Sequence, residues 1–368
     1  MFLIMKFMML LLPVVYLFGN GYVFWRLWPL LAGMPLWLKI VCSVAFWAVA
    51  LMLVITILMR DVALPQWLSR AMFSIGSMWM VMVLYMVLFL IVADVVKLFV
   101  PSFNYGFVSA LGVTILLLCY GYINYRNPKV EKVDIAIDKP LACDSLKIVA
   151  VSDVHLGLGT GKSMAKKYVE MINAQSPDVV LIAGDLIDNS IAPVEANHLE
   201  EELNAIKAPM GVYLVPGNHE YISGIEKCEQ FLKKTQICVL KDSIVELPCG
   251  VQIVGRDDRF NRRMPLAHIM EKVDATKPII MLDHQPYEVA KKDSLGVDVQ
   301  ISGHTHRGQV WPLSVLVDNM YEQSHGYKKW NNSHVYVSCG LSLWGPPFRI
   351  GTRSDMAVIT LITKINND

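Results

Sequence analysis

The 368-residue chain holds nine histidines, and five of them fall in short polar clusters. The clusters are Ser152-Asp153-Val154-His155, Gly184-Asp185, Pro216-Gly217-Asn218-His219-Glu220, Asp283-His284 and Gly303-His304-Thr305-His306. Mixed carboxylate, amide and imidazole donors suit Mn²⁺, Fe or Zn²⁺ better than Ca²⁺, which prefers all-oxygen shells. Cysteine is missing from every cluster, which argues against a closed structural zinc site. In Asp153-x-His155 and His304-x-His306, alternate residues of an extended segment point to one side, so each pair can face one centre. Three or four ligands per ion with one shared carboxylate fit two cations about 3.5–4 Å apart, a pair that clamps a phosphoryl group and acidifies a bound water. A lone Asp-x-His or Gly-Asp is common, and an isolated His is more often a satisfied structural residue; the argument for one site rests on five clusters in order.

Elements of regular structure must deliver these clusters to one place. Leu146–Val151, Val179–Ala183, Val212–Val215 and Ile279–Leu282, with 297–301, read as buried strands, and each runs directly into one cluster. Five strand ends would thus present Asp, Asn or His at a carboxyl edge, where open α/β sheets build their sites. The adjacent Gly and Pro permit sharp turns. Helices are expected over 162–174 and 194–206, and further strands over 335–337 and 356–362. Strands alternating with amphipathic helices predict a layered α/β domain.

The series Asp-x-His, Gly-Asp, Gly-Asn-His-Glu, His and Gly-His-x-His closely resembles that of the calcineurin-like metallophosphoesterases, over roughly 147–363. The resemblance implies a two-sheet β-sandwich flanked by helices, the calcineurin-like phosphoesterase fold, with two divalent metal ions (Mn, Fe or Zn). Carried over by position, one metal would be held by Asp153, His155, Asp185 and His306. The second would be held by Asp185, Asn218, His284 and His304, with Asp185 bridging. His219 would be catalytic without being a ligand, protonating the leaving group or stabilising charge on the phosphoryl oxygens. A narrower resemblance, to members that join N-terminal spans to this domain, lies in Gly303-His304-Thr305-His306 followed by Gly308-Gln309-Val310-Trp311-Pro312, and in Ser338-Cys339-Gly340-Leu341 with Gly345-Pro346-Pro347. Those relatives usually have Gly where this chain has Arg307, so preference for substrate size and charge would differ here.

The first third of the chain was shaped by a different solvent. The whole sequence is 54% hydrophobic and 18% charged, with a mean hydropathy of +0.42. Residues 1–124 carry six basic and two acidic residues, together with 12 of the 20 Met and six of the nine Trp. The other 244 residues keep 27 basic and 30 acidic, an ordinary proportion for a soluble domain. Four apolar runs, 2–18, 37–58, 72–100 and 105–124, reach or approach the roughly 20 residues needed to cross a bilayer. The first contains Lys6 and Pro13; its charge lies within the run and no Ala-x-Ala-like site follows, so an uncleaved span is the better account. The reading is a membrane anchor over 1–126 with about four transmembrane helices, a linker and first strand over 127–145, and the phosphoesterase domain over 146–368. Lys6, Arg60, Arg70, Arg126, Lys129 and Lys132 collect on the side of the C-terminal domain, which places that domain in the cytoplasm, at an inner or plasma membrane. Charges at span edges rather than at mid-depth favour an anchor over a transporter.

The expected partners are a phosphoester substrate, held near the lipid bilayer and lipid-linked in the favoured reading, and not nucleic acid, for which the near-zero net charge gives no support. The reaction is expected at a phosphodiester or pyrophosphate bond. Some members of the resembling family act in lipid A assembly, cleaving UDP-2,3-diacylglucosamine, and the anchor would concentrate the site near such a target. The alternative is a non-catalytic scaffold or sensor, although family members of that type usually lose ligands. Arg307, beside a ligand motif, is the first candidate for gripping substrate phosphate, followed by Arg349, Arg353 and the arginines of 256–263. Trp311, Trp344, Pro346, Pro347 and Phe348 could line an acyl groove, with core packing the commoner use of such residues. Asp257-Asp258, lacking a nearby His, reads as a surface turn. The seven cysteines form no Cys-x-x-Cys pair and read as reduced thiols. A fluorescent protein fused after the C-terminus should be bright and an alkaline phosphatase fused there inactive; the reverse pattern would place the domain outside the cytoplasm.

Overall fold

A computed structural model of the chain describes residues 2–59, 62 and 64–364. Arg60, Asp61 and the side chain of Lys6 lie outside what is described. The chain divides into two compact units, one ending at Ile123 and including Gly345–Pro347, the other comprising Asn124–Trp344 and the residues from Phe348 onward.

The first unit is helical: α1 (Phe2–Leu27), α2 (Leu36–Leu58), α3 (Gln66–Phe99) and α4 (Gly106–Arg126), the last running three residues past the unit boundary. Among the described residues, α2, α3 and α4 are long and apolar enough to cross a bilayer. The first expected span falls within α1, which runs on through Pro13 to Leu27. Phe46, Met86 and Leu90 pack inside the helices, whereas Trp37, Leu58, Leu98 and Leu116 are exposed, as expected of helices that face lipid. Two polar contacts join helices of this unit. Asp94 of α3 is paired with Arg26 of α1 and accepts from Tyr22 Oη at 2.5 Å, and buried Asn20 accepts from Trp79 Nε1 at 2.9 Å.

The second unit contains twelve strands among the described residues. They are β1 (Lys129–Ile137), β2 (Leu146–Val151), β3 (Val179–Ala183), β4 (Val212–Val215), β5 (Ile237–Val239), β6 (Ser243–Glu246), β7 (Gln252–Gly255), β8 (Ile279–Leu282), β9 (Val299–Ser302), β10 (Gly326–Trp330), β11 (Ser333–Val337) and β12 (Asp355–Thr363). One sheet has the order β1-β12-β2-β3-β4-β5 and the other β10-β11-β9-β8-β7-β6. Both are mixed: β2 to β5 are parallel and β12 runs against β2, while β7, β8, β9 and β11 are parallel with antiparallel β6 and β10 at the edges.

The central strands are apolar on both faces because both faces are covered. Leu146, Ile148 and Ala150 of β2 point between the sheets toward Ile253, Ile280 and Val299. Val149 and Val151 of the same strand point the other way, onto the helix α5 (Lys162–Asn173) through Met164, Tyr168 and Val169. The helix expected over 194–206 is instead two short ones, Ala192–Ala196 and Leu199–Leu203. The chain breaks between them at His198, whose φ of 51° is left-handed and cannot continue a helix.

Arg349 is fully buried and ties the segments after β9 and β11 together. Its guanidinium donates to the carbonyl oxygens of His306 at 2.7 Å and Ser342 at 3.0 Å, and also to those of Cys339 and Gly340. Each buried acceptor that loses its donor costs about 1–3 kcal/mol. Arg349→Met is therefore expected to destabilise the fold by about 3 kcal/mol or more, seen as an earlier midpoint in denaturant unfolding. An unchanged midpoint would contradict this role.

Candidate metal centre

The carboxyl ends of β2, β3, β4, β8 and β9 converge. Asp153 and His155 follow β2, Asp185 follows β3, Asn218 follows β4, His284 follows β8, and His304 and His306 follow β9. Asp153, His155, Asp185, His304 and His306 all have φ between 45° and 71°. A non-glycine residue held there costs on the order of 1–3 kcal/mol, and such strain concentrates at functional sites. Turning left-handed at the ends of β2, β3 and β9 is what aims successive side chains into one small volume. Two glycines make room: a Cβ on Gly217 would collide with the Asp185 carboxylate, and one on Gly303 with Ser152 and Asp153.

Two donor groups result, each with its ligand atoms within 4.8 Å of one another: Asp153, His155 and His306, and Asp185, His284 and His304. Asp185 joins them, because its Oδ2 lies 3.2 Å from His284 Nε2 and 3.9 Å from His155 Nε2. Asn218 Oδ1 lies 3.2 Å from His284 Nε2. The Nε2 atoms of His155 and His306 approach to 3.1 Å, and Asp153 Oδ1 is 3.5 Å from His306 Nε2. All seven residues expected as ligands are therefore gathered. His155 and Asp185 also form a group with His219.

The charges fit a cation site. Burial opposes charge on Asp185, but the imidazoles of His284, His219 and His155 outweigh it and hold the carboxyl well below the usual range. Against burial, Asp185 and Asp153 raise His284 well above its ordinary value. Burial together with the charge of His284 lowers His304 to about 3, and burial with the charge of His155 lowers His306 well below its ordinary value. The neutral rings of His304 and His306 keep the lone pair a metal needs. Ring nitrogens and carboxylate oxygens facing one another in a dry pocket are what a divalent cation satisfies.

Surrounding residues orient these ligands. His284 Nδ1 lies 2.8 Å from the Ala183 carbonyl, so it donates there and turns Nε2 toward Asp185. The His304 amide donates to Asp153 at 3.0 Å, and the His219 amide to Asp185 Oδ1 at 2.9 Å. Sequence reasoning missed two groups. The buried Glu220 carboxylate accepts from the amides of Asp185, Ile187 and Gly217 at 2.7–3.0 Å, binding the loops after β3 and β4 together. Burial and then the charge of Asp185 raise it to about 7. Asp188 Oδ1 sits 3.4 Å from His155 Nδ1 and 3.1 Å from His219 Nδ1, and these two imidazoles, against burial, lower its carboxyl to about 2. Glu220 stood inside a cluster without a role, and Asp188, three residues after Asp185, was the available signal.

Several further candidates have partners within the fold. Arg307 is paired with Asp318 at 3.2 Å. Arg349 serves buried carbonyls, so it does not grip phosphate, and Arg353 reaches the Asn127 carbonyl. Asp257 and Asp258 form a turn, but a buried one (5% and 1% exposed), because Tyr221, Gln285 and the Phe260 amide donate to them. Phe348 is core, whereas Trp311 and Trp344 are half-exposed.

The family model described as calcineurin-like phosphoesterase matches residues 146–308. An uncharacterized metallophosphoesterase of Helicobacter pylori is 35% identical over 279 residues, which is 72% of this chain and 74% of that protein. The chain belongs to the calcineurin-like metallophosphoesterase family. A second member, a Danio rerio transmembrane protein with metallophosphoesterase domain, is 32% identical over 329 residues, 81% of this chain and 74% of its own length. Among solved structures, a 5'-nucleotidase precursor from Thermus thermophilus aligns at 16% identity and a TM-score of 0.36, over 59% of this chain and about half (55%) of that chain. Metallophosphoesterases use divalent metals, and the donor groups after β2, β3, β8 and β9 could hold them. Removing an orienting carboxylate typically costs about 10- to 100-fold in metal affinity. Asp188→Asn should weaken Mn²⁺ binding to the chelator-treated protein by about that much in calorimetric titration; wild-type affinity would deny Asp188 this role.

Proposed function

We propose that the protein is a membrane-anchored phosphoesterase with a dinuclear metal site, hydrolysing a phosphodiester or pyrophosphate bond of a lipid-linked substrate at the inner or plasma membrane, with the catalytic domain in the cytoplasm. The observation that carries this reading is the position of Asp185 between the Asp153–His155–His306 and His284–His304 groups. Asp153, His155, Asp185 and His306 would hold one ion, and Asp185, Asn218, His284 and His304 the other. Mn²⁺, Fe or Zn²⁺ suits these donors. When bound, such ions neutralise phosphoryl oxygens and acidify water.

The protein's own groups do the rest. Asp188 Oδ1 beside His219 Nδ1 fixes that ring and leaves Nε2 to hold a proton for the departing oxygen. The same carboxylate fixes His155, so one residue sets both the ligand and the acid. Glu220 locks the loops that carry Asp185 and His219, which holds the geometry before substrate arrives.

The lipid-linked part of the reading draws on exposed apolar surface near the site. The Trp344 ring is 6.3 Å from that of His219, and it is 41% exposed. Trp311, Leu313, Val315 and Leu316, on the segment that follows His306, are exposed as well. An acylated leaving group would cover such surface. Three helices long enough to span a bilayer agree with a substrate that resides there.

Purified protein should hydrolyse bis-p-nitrophenyl phosphate with Mn²⁺, and chelation or Asp185→Asn should reduce turnover to the metal-free level. Hydrolysis insensitive to both would overturn the metal-dependent reading.

A further inference from the structure

A second polar site lies along the same sheet edge. Strands β7, β8 and β9 are parallel neighbours, so their carboxyl ends open in one direction. The end of β9 delivers His304 and that of β8 delivers Asp283-His284, while the end of β7 delivers Arg256. Beside Arg256 and Asp283 is a cavity of roughly 190 Å³, lined by Arg256, Arg259, Arg263, Lys291 and Lys292 and by the carboxylates Asp283 and Glu288. At about 30 Å³ per water molecule, this is room for a phosphate-sized group.

Five cations thus face two acids. Asp283 is shared by Arg263 Nη1 and Lys292 Nζ, both at 2.9 Å. Glu288 is shared by Arg259 at 2.8 Å, Lys291 at 3.5 Å and Arg263 at 4.0 Å. Arg256 is neutralised from outside the cavity by Asp242 at 2.9 Å, and it donates to the Met264 carbonyl. Lys292 is 1% exposed and Arg256 2%. The Lys292 ammonium has three donors and one shared carboxylate contact. The two buried cations, Lys292 and Arg256, each have one carboxylate partner, and the partly exposed Arg259 and Lys291 add positive charge at the rim. Guanidinium groups bind phosphate oxygens two at a time, so the lining suits a phosphate dianion.

We propose that this cavity is a substrate subsite that takes a second phosphate group, remote from the bond that is cleaved. Neighbouring strands are about 4.8 Å apart, so a group at the end of β7 lies about 5 Å along the edge from His284 after β8 and about 10 Å from the residues after β9. That separation is too long for the two phosphates of one pyrophosphate link, and it requires a substrate with a spacer between its phosphates. The inference rests on the phosphoesterase reading of the metal centre.

The test compares two esters with Mn²⁺ and the full-length protein in detergent: hexyl p-nitrophenyl phosphate, and the same ester with a phosphate at the far end of the hexyl arm. The terminal phosphate should raise kcat/KM by about tenfold or more, the worth of one charge-assisted hydrogen bond. In Arg259→Gln/Lys291→Gln, which changes two partly exposed cations, the ratio of the two values should fall to about one. A ratio near one in the wild type, or a ratio the variant leaves unchanged, overturns the subsite. If neither ester is cleaved by the wild type, the hydrolase reading is at fault, and calorimetry with 1,6-hexanediol bisphosphate on chelator-treated protein decides the cavity. Binding that the variant weakens about tenfold supports the site, and equal or absent binding overturns it.

Discussion

The arrangement depends on keeping a carboxylate, Asp185, charged in a place where water cannot reach it. Its side chain is fully enclosed at the meeting of the two sheets, and an isolated ion there would be very costly. Imidazoles at 3.2 and 3.9 Å and the His219 amide at 2.9 Å hold the charge in place. These partners come from both sheets: His155 and His219 belong to the first and His284 to the second. The sandwich is thus closed at this edge by electrostatics as well as by its apolar filling.

The same constraint accounts for the backbone. An ordinary strand end would send alternate side chains to opposite faces, away from a common centre. Left-handed residues at 153, 155, 185, 304 and 306 redirect them, and the cost is tolerated because Glu220, Arg349 and the Ala183 carbonyl fix the loops by hydrogen bonds. Rigidity of these loops comes from the buried hydrogen bonds of Glu220, Arg349 and the Ala183 carbonyl.

Charge is also distributed with purpose on a larger scale. In the helical unit Arg26 of α1 and Asp94 of α3 pair with each other. In the phosphoesterase unit a nearly balanced composition conceals local excess: acids and imidazoles crowd one stretch of the sheet edge, while cations crowd the next. A net charge near zero, informative about nucleic acid, says nothing about such local fields.

The sequence by itself determined the elements and the chemistry. Strands β2, β3, β4 and β8 were legible as apolar runs with sharp ends, α2 to α4 as long apolar stretches, and the ligand types as the polar clusters that follow the strands. These are local properties, set by side-chain periodicity and by glycine at turns. Tertiary structure alone decided what those residues meet. His155 and His306 are 151 positions apart, yet their Nε2 atoms approach to 3.1 Å; Arg349 became a buried tie, and Asp257-Asp258 a buried turn. The role of Asp188 and the cationic cavity beside β7 and β8 emerge only when two sheets pack, because distance and desolvation through space, not order along the chain, fix what a charged group does.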